Sequence, residues 1–425
     1  MNYQEAVEYI ESTYRFGSRP GLETITRLLD LMGKPHLNFR SVHVAGTNGK
    51  GSTCAHIASV LKEAGFLTGL YTSPHLERFT ERIRVSGKEI GQRDVGEITE
   101  FVKGHIQTML GEGCPHPTEF EVITAIGFEY FKRKGVQYAV VEVGMGGRLD
   151  ATNVITPEVS VITPISLDHV DVLGSDMVSI AREKAGIIKD GVPVVCGLQQ
   201  GEVMETIKEV SEKRNAPFIY TGDGLIENQR PENGGQTFDF AWRGKIYRNI
   251  RVNLMGRHQA DNAALAFVTC LELGISENII RRGLEKTIWL GRMEVLRKKP
   301  LILIDGAHNV EGAIALLKGL KQFFPGKRVL LVLGMLRDKD VDSVANILGS
   351  YADRVVTVSP VSTRAMDPLE LKGIVERYNR NVACAASIRE AVEKYMISLE
   401  DEIMVFSGSL YMIGEVRRLL PPEIS

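Results

Sequence analysis

The fold of this chain is decided by residues 42–53, which read Val42-His43-Val44-Ala45-Gly46-Thr47-Asn48-Gly49-Lys50-Gly51-Ser52-Thr53. The first residues are typical of a short buried strand, and those after the glycines continue as a helical pattern. Glycines in such a turn allow backbone N–H groups to point at a polyphosphate, and the helix N-terminus adds the positive end of its dipole. We therefore predict a nucleotide-binding loop formed by Gly46, Thr47, Asn48, Gly49, Lys50, Gly51, Ser52 and Thr53.

Two kinds of side chain in this loop suit a nucleotide. Lys50 can neutralise charge on the β- and γ-phosphates, and Ser52 or Thr53 can place a hydroxyl on Mg²⁺. The spacing departs from the common GxxxxGK pattern followed by Ser or Thr, because Val44 stands at its first glycine and Gly51 separates the lysine from the hydroxyl. The alternative is a tight turn that binds nothing, but such a turn does not need a lysine followed by a helix-capping hydroxyl.

Outward from the loop, strand and helix patterns alternate along the chain. Residues 1–33 have the spacing of two short helices, and longer helices are predicted at 120–134 and 176–189. Short strands are predicted at 41–45, 68–72, 138–143, 159–164, 193–196 and 217–220. This alternation predicts an α/β fold with a doubly wound, mostly parallel sheet covered by helices on both faces.

The alternation is interrupted once and then restarts. Residues 237–254 alternate apolar and polar side chains around a predicted hairpin turn at 243–245, and a helix is predicted at 258–273. After about residue 296, four strands are predicted at 301–304, 328–333, 355–358 and 403–406, with helices at 313–323, 341–350, 368–378 and 388–398. We therefore predict two domains, 1–295 and 296–425.

Composition excludes several classes of protein. The 425 residues include 51 Lys plus Arg and 53 Asp plus Glu, a net charge of −2, which lacks the excess of cations that generic nucleic-acid binding needs. No apolar run approaches the roughly 18 residues of a membrane span. The start, Met1 to Glu5, has no signal-peptide pattern, and the five cysteines are far apart. We expect a cytoplasmic protein without disulfides or a zinc ribbon.

Polar residues after predicted strands form a candidate metal site. Glu142 ends the apolar run 138–141 and is followed by glycines, so its carboxylate could approach a nucleotide-bound Mg²⁺, which prefers oxygen ligands. It could also simply cap a strand end. His169 has a similar placement, but a lone histidine is more often structural and is not a favoured magnesium ligand. Lys184 would repel a magnesium cluster, so the local sequence favours a solvated helix face for it.

Six further motifs follow the loop in a fixed order. They are Thr72-Ser73-Pro74-His75-Leu76 with Glu81-Arg82-Ile83; EVGMGGRLDATN at 142–153; Leu167-Asp168-His169 with REKAGIIK at 182–189; HQADN at 258–262; DGAHN at 305–309; and SGSLY at 407–411. Together with the loop, they resemble the ATP-dependent Mur ligase family over essentially the whole chain. Within that family they are most similar to the ligases that attach glutamate to folates.

The resemblance implies a two-part fold and a set of metal ligands. Residues 1–295 would form the P-loop-containing central domain, and residues 296–425 a smaller Rossmann-like α/β domain that closes over ATP and binds glutamate. Ser73, Glu142 and His169 would serve one Mg²⁺, and Ser52 with Glu142 a second. In this family the lysine that matches Lys184 is carbamylated by CO₂, which turns a cation into an anionic oxygen ligand. The resemblance also allows a potassium requirement.

The resemblance also assigns nucleotide and substrate contacts. Asn262 would contact adenine or ribose, and Arg292 the phosphates, although Arg292 could be a plain surface residue. Asp305 and His308 would contact ATP and organise the reacting centre, and Asp305 could at the same time be a helix N-cap. The catalytic residues implied are Lys50, Lys184, Asp305 and His308. The substrate contacts implied are Ser73, Pro74, His75, Arg82, Arg148, Asp150, Thr152 and Ser409.

The implied reaction is amide formation through an acyl phosphate. ATP would phosphorylate a carboxylate of a folate or of dihydropteroate, and the amine of L-glutamate would displace phosphate. Within the family, we disfavour a cell-wall muramyl ligase because only 45 residues precede Gly46, too few for the additional UDP-substrate domain of those enzymes. A P-loop ATPase switch and a nucleotide-binding module without chemistry remain alternatives. The resemblance to the family suggests that the protein is a monomer.

Overall fold

The apolar strand before Gly46 lies near the centre of an eight-stranded sheet. The computed structural model describes residues 1–17, 19–167, 176–232, 234–397 and 401–421. The strands of this sheet are β1 (Arg40–Ala45), β2 (Thr68–Tyr71), β3 (Ile83–Val85), β4 (Lys88–Glu89), β5 (Tyr138–Glu142), β6 (Val159–Ile162), β7 (Val194–Cys196) and β8 (Phe218–Tyr220). Their order is β4-β3-β2-β5-β1-β6-β7-β8, and all pair in parallel except β3 and β4.

The position of β1 in this order determines where a ligand can bind. β1 lies between β5 and β6, with Val44 paired to Glu142 and Ala45 paired to Ile162. The carboxyl ends of the three strands are therefore neighbours at one edge of the sheet. Ligands of doubly wound sheets bind at such an edge, where the strand order reverses. Both faces of β5 and β6 are buried, which explains why their sequences are mostly apolar.

Nine helices accompany this sheet in the described part of the chain. They are α1 (Tyr3–Ser12), α2 (Glu23–Leu31), α3 (Lys50–Glu63), α4 (Gln92–Gly111), α5 (Glu119–Lys134), α6 (Met177–Ala185), α7 (Gly201–Lys213), α8 (Arg257–Glu272) and α9 (Glu277–Glu285). Sequence signals define several of their ends, because Asn2 and Thr118 each form a capping box and Asp176 caps α6. The two predicted N-terminal helices are confirmed, and they share one apolar core with α4 and α5.

A smaller sheet follows β8. It consists of β9 (Leu225–Glu232), β10 (Gly235–Trp242) and β11 (Lys245–Val252), in the order β11-β10-β9. The predicted pair of strands around residues 243–245 is confirmed. The strand β9 was not predicted, because it lies at the edge of the sheet and most of its side chains are exposed and polar.

The third sheet has six strands. They are β12 (Glu294–Lys298), β13 (Leu301–Ile304), β14 (Arg328–Leu333), β15 (Arg354–Thr357), β16 (Val382–Cys384) and β17 (Glu402–Ser407), in the order β12-β13-β17-β14-β15-β16. Only β12 pairs antiparallel with its neighbour. The helices are α10 (Val310–Phe323), α11 (Val341–Val344), α12 (Pro368–Val375), α13 (Ile388–Met396) and α14 (Leu410–Leu419). The helix predicted at 341–350 is correct only in part, because residues 345–349 form a π-helical turn.

The two-domain α/β architecture is confirmed, and the chain divides into two compact units. The first unit contains Met1–Asn228, Phe238–Val252 and Asp261–Thr287, and the second contains Gln229–Thr237, Asn253–Ala260 and the part from Ile288 onward. Two short segments thus leave the first unit for the second before residue 288. The functional boundary between residues 295 and 296 stays a prediction. None of the described helices is both long and apolar enough to cross a lipid bilayer.

Two fully buried histidines make the stability of the first unit depend on pH. His43 in β1 and His56 in α3 have no exposed surface, and burial lowers the pKa of each to about 3. The unfolded chain keeps an ordinary histidine pKa near 6.5, so below that pH the unfolded state binds protons that the folded state excludes. The contribution of these two histidines is therefore present in full above about pH 6.5 and is lost as the pH falls towards 3.

We predict that His56→Leu reduces this acid sensitivity. Each buried histidine costs about 2 kcal/mol of stability at about pH 5. The melting temperature of the variant should therefore fall less than that of the wild type between about pH 7.5 and pH 5. Thermal melts of both proteins at the two pH values measure the effect. Equal losses for the two proteins would contradict the prediction.

Candidate active site

The loop after β1 has the geometry of a phosphate-binding loop. Gly49, at the N-cap of α3, has a φ of +86°, and Gly46 has a φ of +146°, values that favour glycine. The Lys50 ammonium folds back and donates to the carbonyl oxygens of Gly46 and Thr47, each at 3.1 Å. The predicted strand, turn and helix are therefore all present, and the lysine lies inside the turn.

The loop is attached to the chain segment that follows β6. The backbone N–H groups of Thr47 and Asn48 donate to the Pro164 carbonyl at 3.0 and 3.3 Å. The Thr47 hydroxyl donates to the Ser166 carbonyl at 3.1 Å and accepts from the Ser166 N–H at 3.1 Å. A Cβ on Gly46 would collide with Thr163. The glycine is thus required both by its φ angle and by this close approach.

Asn262 of α8 lies against the same loop. Its side chain is buried, and a Cβ added to Gly49 would collide with its amide group. The family resemblance predicts that Asn262 contacts the adenine or ribose of the nucleotide. The structure brings it next to the loop, and its contact with the nucleotide stays a prediction.

Glu142 lies where the sequence analysis expected it, at the carboxyl end of β5. Its carboxylate is buried, and Oε2 accepts the backbone N–H of Ser73 at 3.1 Å. Ser52, in the first turn of α3, is also buried. Hydroxyl and carboxylate oxygens are the donors that Mg²⁺ prefers, so Ser52, Ser73 and Glu142 fit that ion chemically. His169 lies outside the described residues, and within the described ranges no three His, Cys, Asp or Glu side chains form a ready-made metal cluster.

The position of Lys184 differs from the one that its local sequence favoured. The solvated helix face that the local sequence favoured is wrong for this residue, because α6 turns its lysine inward and leaves Arg182 exposed. Only 4% of Lys184 is exposed, and its ammonium donates to the Gly46 carbonyl at 2.8 Å. Lys50 and Lys184 therefore donate to the same carbonyl oxygen at the end of β1.

Two glycines allow α6 to approach the loop that follows Glu142. A Cβ on Gly147 would lie 2.6 Å from the Glu183 carbonyl oxygen and 2.8 Å from that of Lys184. A Cβ on Gly186 would collide with Arg148, whose guanidinium pairs with the Glu183 carboxylate at 2.9 Å. These contacts set the position of Lys184, and they place Arg148 partly exposed on the outside of the loop.

The same loop, residues 144–153, contains two predicted substrate contacts that are buried. The Asp150 carboxylate accepts the backbone N–H groups of Met145 at 2.9 Å and Thr152 at 3.0 Å, and burial raises its pKa against the opposing effect of these hydrogen bonds. Thr152 has no exposed surface. Both residues shape the loop, and their direct contact with substrate stays a prediction.

The loop after β2 is organised by Glu81, a residue to which the sequence analysis gave no role. Its buried carboxylate accepts three consecutive backbone N–H groups, those of residues 76–78, at 2.9 to 3.0 Å. Next to it, Arg82 donates from Nε to Nδ1 of His75 at 2.9 Å, so two predicted substrate contacts meet directly. The sequence contains Glu81 within the motif Glu81-Arg82-Ile83, but spacing alone does not show that its carboxylate turns inward to the preceding loop.

In the second unit, Asp305 follows β13 and organises the turn before α10. Its carboxylate accepts the N–H groups of Met293 and Ala307, both at 2.8 Å, and burial raises its pKa while the nearby Arg292 lowers it. The suggestion that Asp305 is a helix N-cap is wrong, because Asn309 caps α10 by accepting the N–H of Gly312. The asparagine is at the position next to the first helical residue, where a cap must stand.

The other predicted residues of the second unit lie at strand ends. His308 Nδ1 is 2.8 Å from the Gly306 carbonyl, so Nδ1 carries the proton, and Arg292 lies against Gly306. Ser409 precedes α14, directly after β17, which pairs in parallel with β13. Only 2% of Ser409 is exposed, and its hydroxyl has no hydrogen-bond partner among the described residues.

Comparison with known proteins identifies the family. The Mur ligase middle domain matches residues 44–270, and the glutamate ligase domain of Mur ligases matches residues 291–410. The chain belongs to the Mur ligase family.

Individual Mur ligases match over nearly the full length. A dihydrofolate synthase/folylpolyglutamate synthase of Bacillus subtilis is 37% identical, with 98% of this chain and 99% of the relative covered. Folylpolyglutamate synthase (FPGS) of Mycobacterium tuberculosis, in complex with ADP and AMPPCP, is 34% identical with a TM-score of 0.92 and covers 99% of this chain and 100% of its own. An FPGS–AMPPCP–folate complex is 33% identical with a TM-score of 0.88 and the same coverages.

The two Mur ligase matches divide the predicted site residues. The middle-domain match contains the loop after β1, Ser73, Glu142, Lys184 and Asn262. The glutamate-ligase match contains Arg292, Asp305, His308 and Ser409.

We predict that Gly147→Ala destabilises this Mur ligase. The added methyl group meets backbone oxygens of α6 that cannot move independently, so we expect a loss of about 1–3 kcal/mol. The matched control is Gly104→Ala inside α4, where nothing lies within 4 Å of the new Cβ and alanine should stabilise the helix by about 0.5–1 kcal/mol. Urea denaturation of both variants measures the difference, and similar midpoints for the two would argue against the close packing described above.

Proposed function

We propose that this Mur ligase is an ATP-dependent ligase that joins L-glutamate to a folate, to dihydropteroate, or to both. The observation that carries the proposal is the meeting of Lys50 and Lys184 at the Gly46 carbonyl, on the same sheet edge as the carboxylate of Glu142. This edge belongs to a chain that aligns over nearly its whole length with enzymes named for dihydrofolate and folylpolyglutamate synthesis. Complexes of its relatives with ATP analogues and with folate support the substrate class.

The chemistry requires activation of a carboxylate. In the first step a carboxylate oxygen of the pterin substrate attacks the γ-phosphorus of ATP, the bond to the β–γ bridging oxygen breaks, and ADP leaves. In the second step the glutamate amine attacks the carbonyl carbon of the acyl phosphate. The tetrahedral intermediate then expels phosphate and loses a proton to give the amide. Both steps develop negative charge on phosphoryl oxygens, so placed cations lower both barriers.

Lys50 and the loop backbone are the groups that would hold the phosphates. Lys50 lies inside the turn formed by residues 46–49, where its ammonium would exchange carbonyl oxygens for phosphate oxygens when the nucleotide binds. Thr53 has a buried hydroxyl without a partner among the described residues, on the first turns of the same helix. The segment after β6 holds the loop through hydrogen bonds to its backbone and to the side chains of Thr47 and Asn48, which favours preorganisation for the nucleotide.

Ser52, Ser73 and Glu142 are the residues that we propose as magnesium ligands, with His169 as a further ligand predicted from sequence alone. Mg²⁺ bound there would neutralise charge on the ATP phosphates. The hydrogen bond from the Ser73 N–H to Glu142 orients the carboxylate, and that role of Ser73 needs no metal. We assign two metal positions on the basis of the family resemblance.

The surroundings of Lys184 would suit a carbamate that acts as a metal ligand. It is buried, it is fixed by the packing of Gly147 and Gly186, and it contacts the phosphate-binding loop. We propose that CO₂ converts its amine to a carbamate, which offers an anionic oxygen where an ammonium would repel metal ions. A requirement for K⁺ is a further expectation from the family.

The remaining residues are assigned to the substrates. Arg292, Asp305 and His308 would act on ATP, with the proton of His308 at Nδ1, and Ser409 would bind glutamate through its buried hydroxyl. Ser73, Pro74, His75, Arg82 and Arg148 would contact the pterin substrate from the two loops. Asp150 and Thr152 would support the second of these loops, residues 144–153, through their buried hydrogen bonds. We expect the protein to act as a monomer.

Release of ADP tests the proposed activity directly. With ATP and Mg²⁺, we expect turnover only when L-glutamate is present together with dihydropteroate or tetrahydrofolate, because phosphoryl transfer needs the carboxylate and completion needs the amine. Comparing the two pterin substrates shows whether one or both activities are present. Turnover that needs neither pterin nor glutamate would overturn the proposal in favour of a P-loop ATPase.

Glu142→Gln should lower the Mg²⁺-dependent turnover by about 100-fold, because the loss of one placed charge at a phosphoryl-transfer site has an effect of that size. Its melting temperature should stay near that of the wild type, since the amide keeps an oxygen for the Ser73 N–H. Glu158→Gln, an exposed glutamate just before β6, is the matched control and should keep full activity. An active Glu142→Gln enzyme would contradict the role of Glu142.

Lys184→Ala should abolish turnover, and short-chain carboxylates added to the variant should restore part of it by supplying the missing anionic oxygen. In the wild type, ¹³CO₂ should give a carbamate signal in the NMR spectrum that Lys184→Ala lacks. Full activity of Lys184→Ala, or identical spectra for the two proteins, would refute the carbamate.

A further inference from the structure

A buried polar chain connects β1 with the loop that follows Glu142. His43 of β1 has no exposed surface, and its Nε2 atom is 2.8 Å from the hydroxyl oxygen of Thr152. That hydroxyl is in turn 2.5 Å from Oδ1 of Asp150. None of the three side chains is used by the chemistry proposed above.

The directions of these hydrogen bonds follow from the groups involved. Asp150 accepts the backbone N–H groups of Met145 and Thr152, so it is the acceptor of the Thr152 hydroxyl as well. The Thr152 oxygen has given its single hydrogen to Asp150 and must therefore accept from His43. This fixes the proton of the neutral imidazole on Nε2, and Nδ1 has no partner among the described residues.

This series of hydrogen bonds, from His43 through Thr152 to Asp150, ends at the backbone of the loop 144–153. Asp150 holds the N–H of Met145 and begins the short helical turn Ala151–Val154. Gly144, which follows the end of β5, lies against the ring of Phe120, where a Cβ would come within 2.5 Å. The loop is therefore held by packing on one side and by the polar chain on the other.

We propose that His43 is a positioning residue of the ligase. Through Thr152 and Asp150, it fixes the loop 144–153, which follows the carboxylate of Glu142 and faces the pterin substrate. This inference rests on the proposed function. The imidazole donates one hydrogen bond and does not exchange a proton during the reaction.

His56 provides the contrast within the same unit. It is as completely buried as His43, but neither of its ring nitrogens has a hydrogen-bond partner among the described residues. A role that depended only on filling space would apply equally to both histidines. The hydrogen bond to Thr152 is what distinguishes His43.

Four variants and one control test the role of His43. His43→Leu removes the donor with a side chain of similar size, and His43→Gln keeps a donor at the position of Nε2. Thr152→Val removes the hydroxyl between His43 and Asp150, and the His43→Leu/Thr152→Val double variant removes both groups. His56→Leu is the control and should keep wild-type kinetics. Initial rates of ADP release give KM for the pterin substrate and for ATP separately.

We expect His43→Leu to raise KM for the pterin substrate about ten-fold, the effect of one lost buried hydrogen bond, and to leave KM for ATP within about two-fold. His43→Gln should be near wild type, and the double variant should be no worse than Thr152→Val alone, because both changes interrupt one chain. An equal rise of KM for ATP, equal impairment by Gln and Leu, or additive effects would overturn the proposal.

Hydrogen exchange separates this inference from the proposed function. Amides of residues 144–153 should exchange faster in His43→Leu than in the wild type and unchanged in His56→Leu. Unchanged exchange in His43→Leu would overturn the positioning role, whatever the enzyme does. If the wild type shows no glutamate-dependent turnover, the proposed function fails, and the exchange rates still decide whether His43 holds the loop.

Discussion

The carbonyl oxygen of Gly46 is the point on which the rest of the site depends. It accepts a hydrogen bond from Lys50, in the helix that follows it, and another from Lys184, far away in the sequence. Gly46 has a positive φ, and a Cβ on it would collide with Thr163, so glycine is the residue that fits where this carbonyl is presented. One backbone group thereby holds two lysine side chains at the end of the central strand.

Such an arrangement is possible because the supporting elements approach one another through backbone atoms. The loop after β6 holds the phosphate-binding turn by hydrogen bonds to Thr47 and Asn48, and the loop after β5 receives α6 at Gly147. Buried carboxylates add to the apolar packing of these loops, since Glu81 and Asp150 each accept several N–H groups. These hydrogen bonds fix the backbone shape of both loops.

The sequence predicted the parallel strands other than β16 to within about two residues, because strands buried on both faces are mostly apolar. It did not predict β3, β4, β9, β12 and β16, which lie at or near sheet edges and are short or carry polar side chains. Motifs located Lys50, Glu142 and Asp305 at strand ends. The contact of Lys184 with Gly46 joins residues 138 positions apart, which residue spacing does not predict. The hydrogen bonds of Glu81 and His43 depend on the direction of their side chains, which spacing does not predict either.

The close contact between the loop 144–153 and α6 has a consequence for how this enzyme can diverge. Glycines and main-chain oxygens make most of that contact, and the Arg148 side chain, more than half exposed, adds an ion pair with Glu183 of α6. If Arg148 contacts the pterin substrate as we propose, a library that varies Arg148 while keeping both glycines would change the surface offered to that substrate. It would remove one exposed ion pair and keep the backbone contacts that position Lys184.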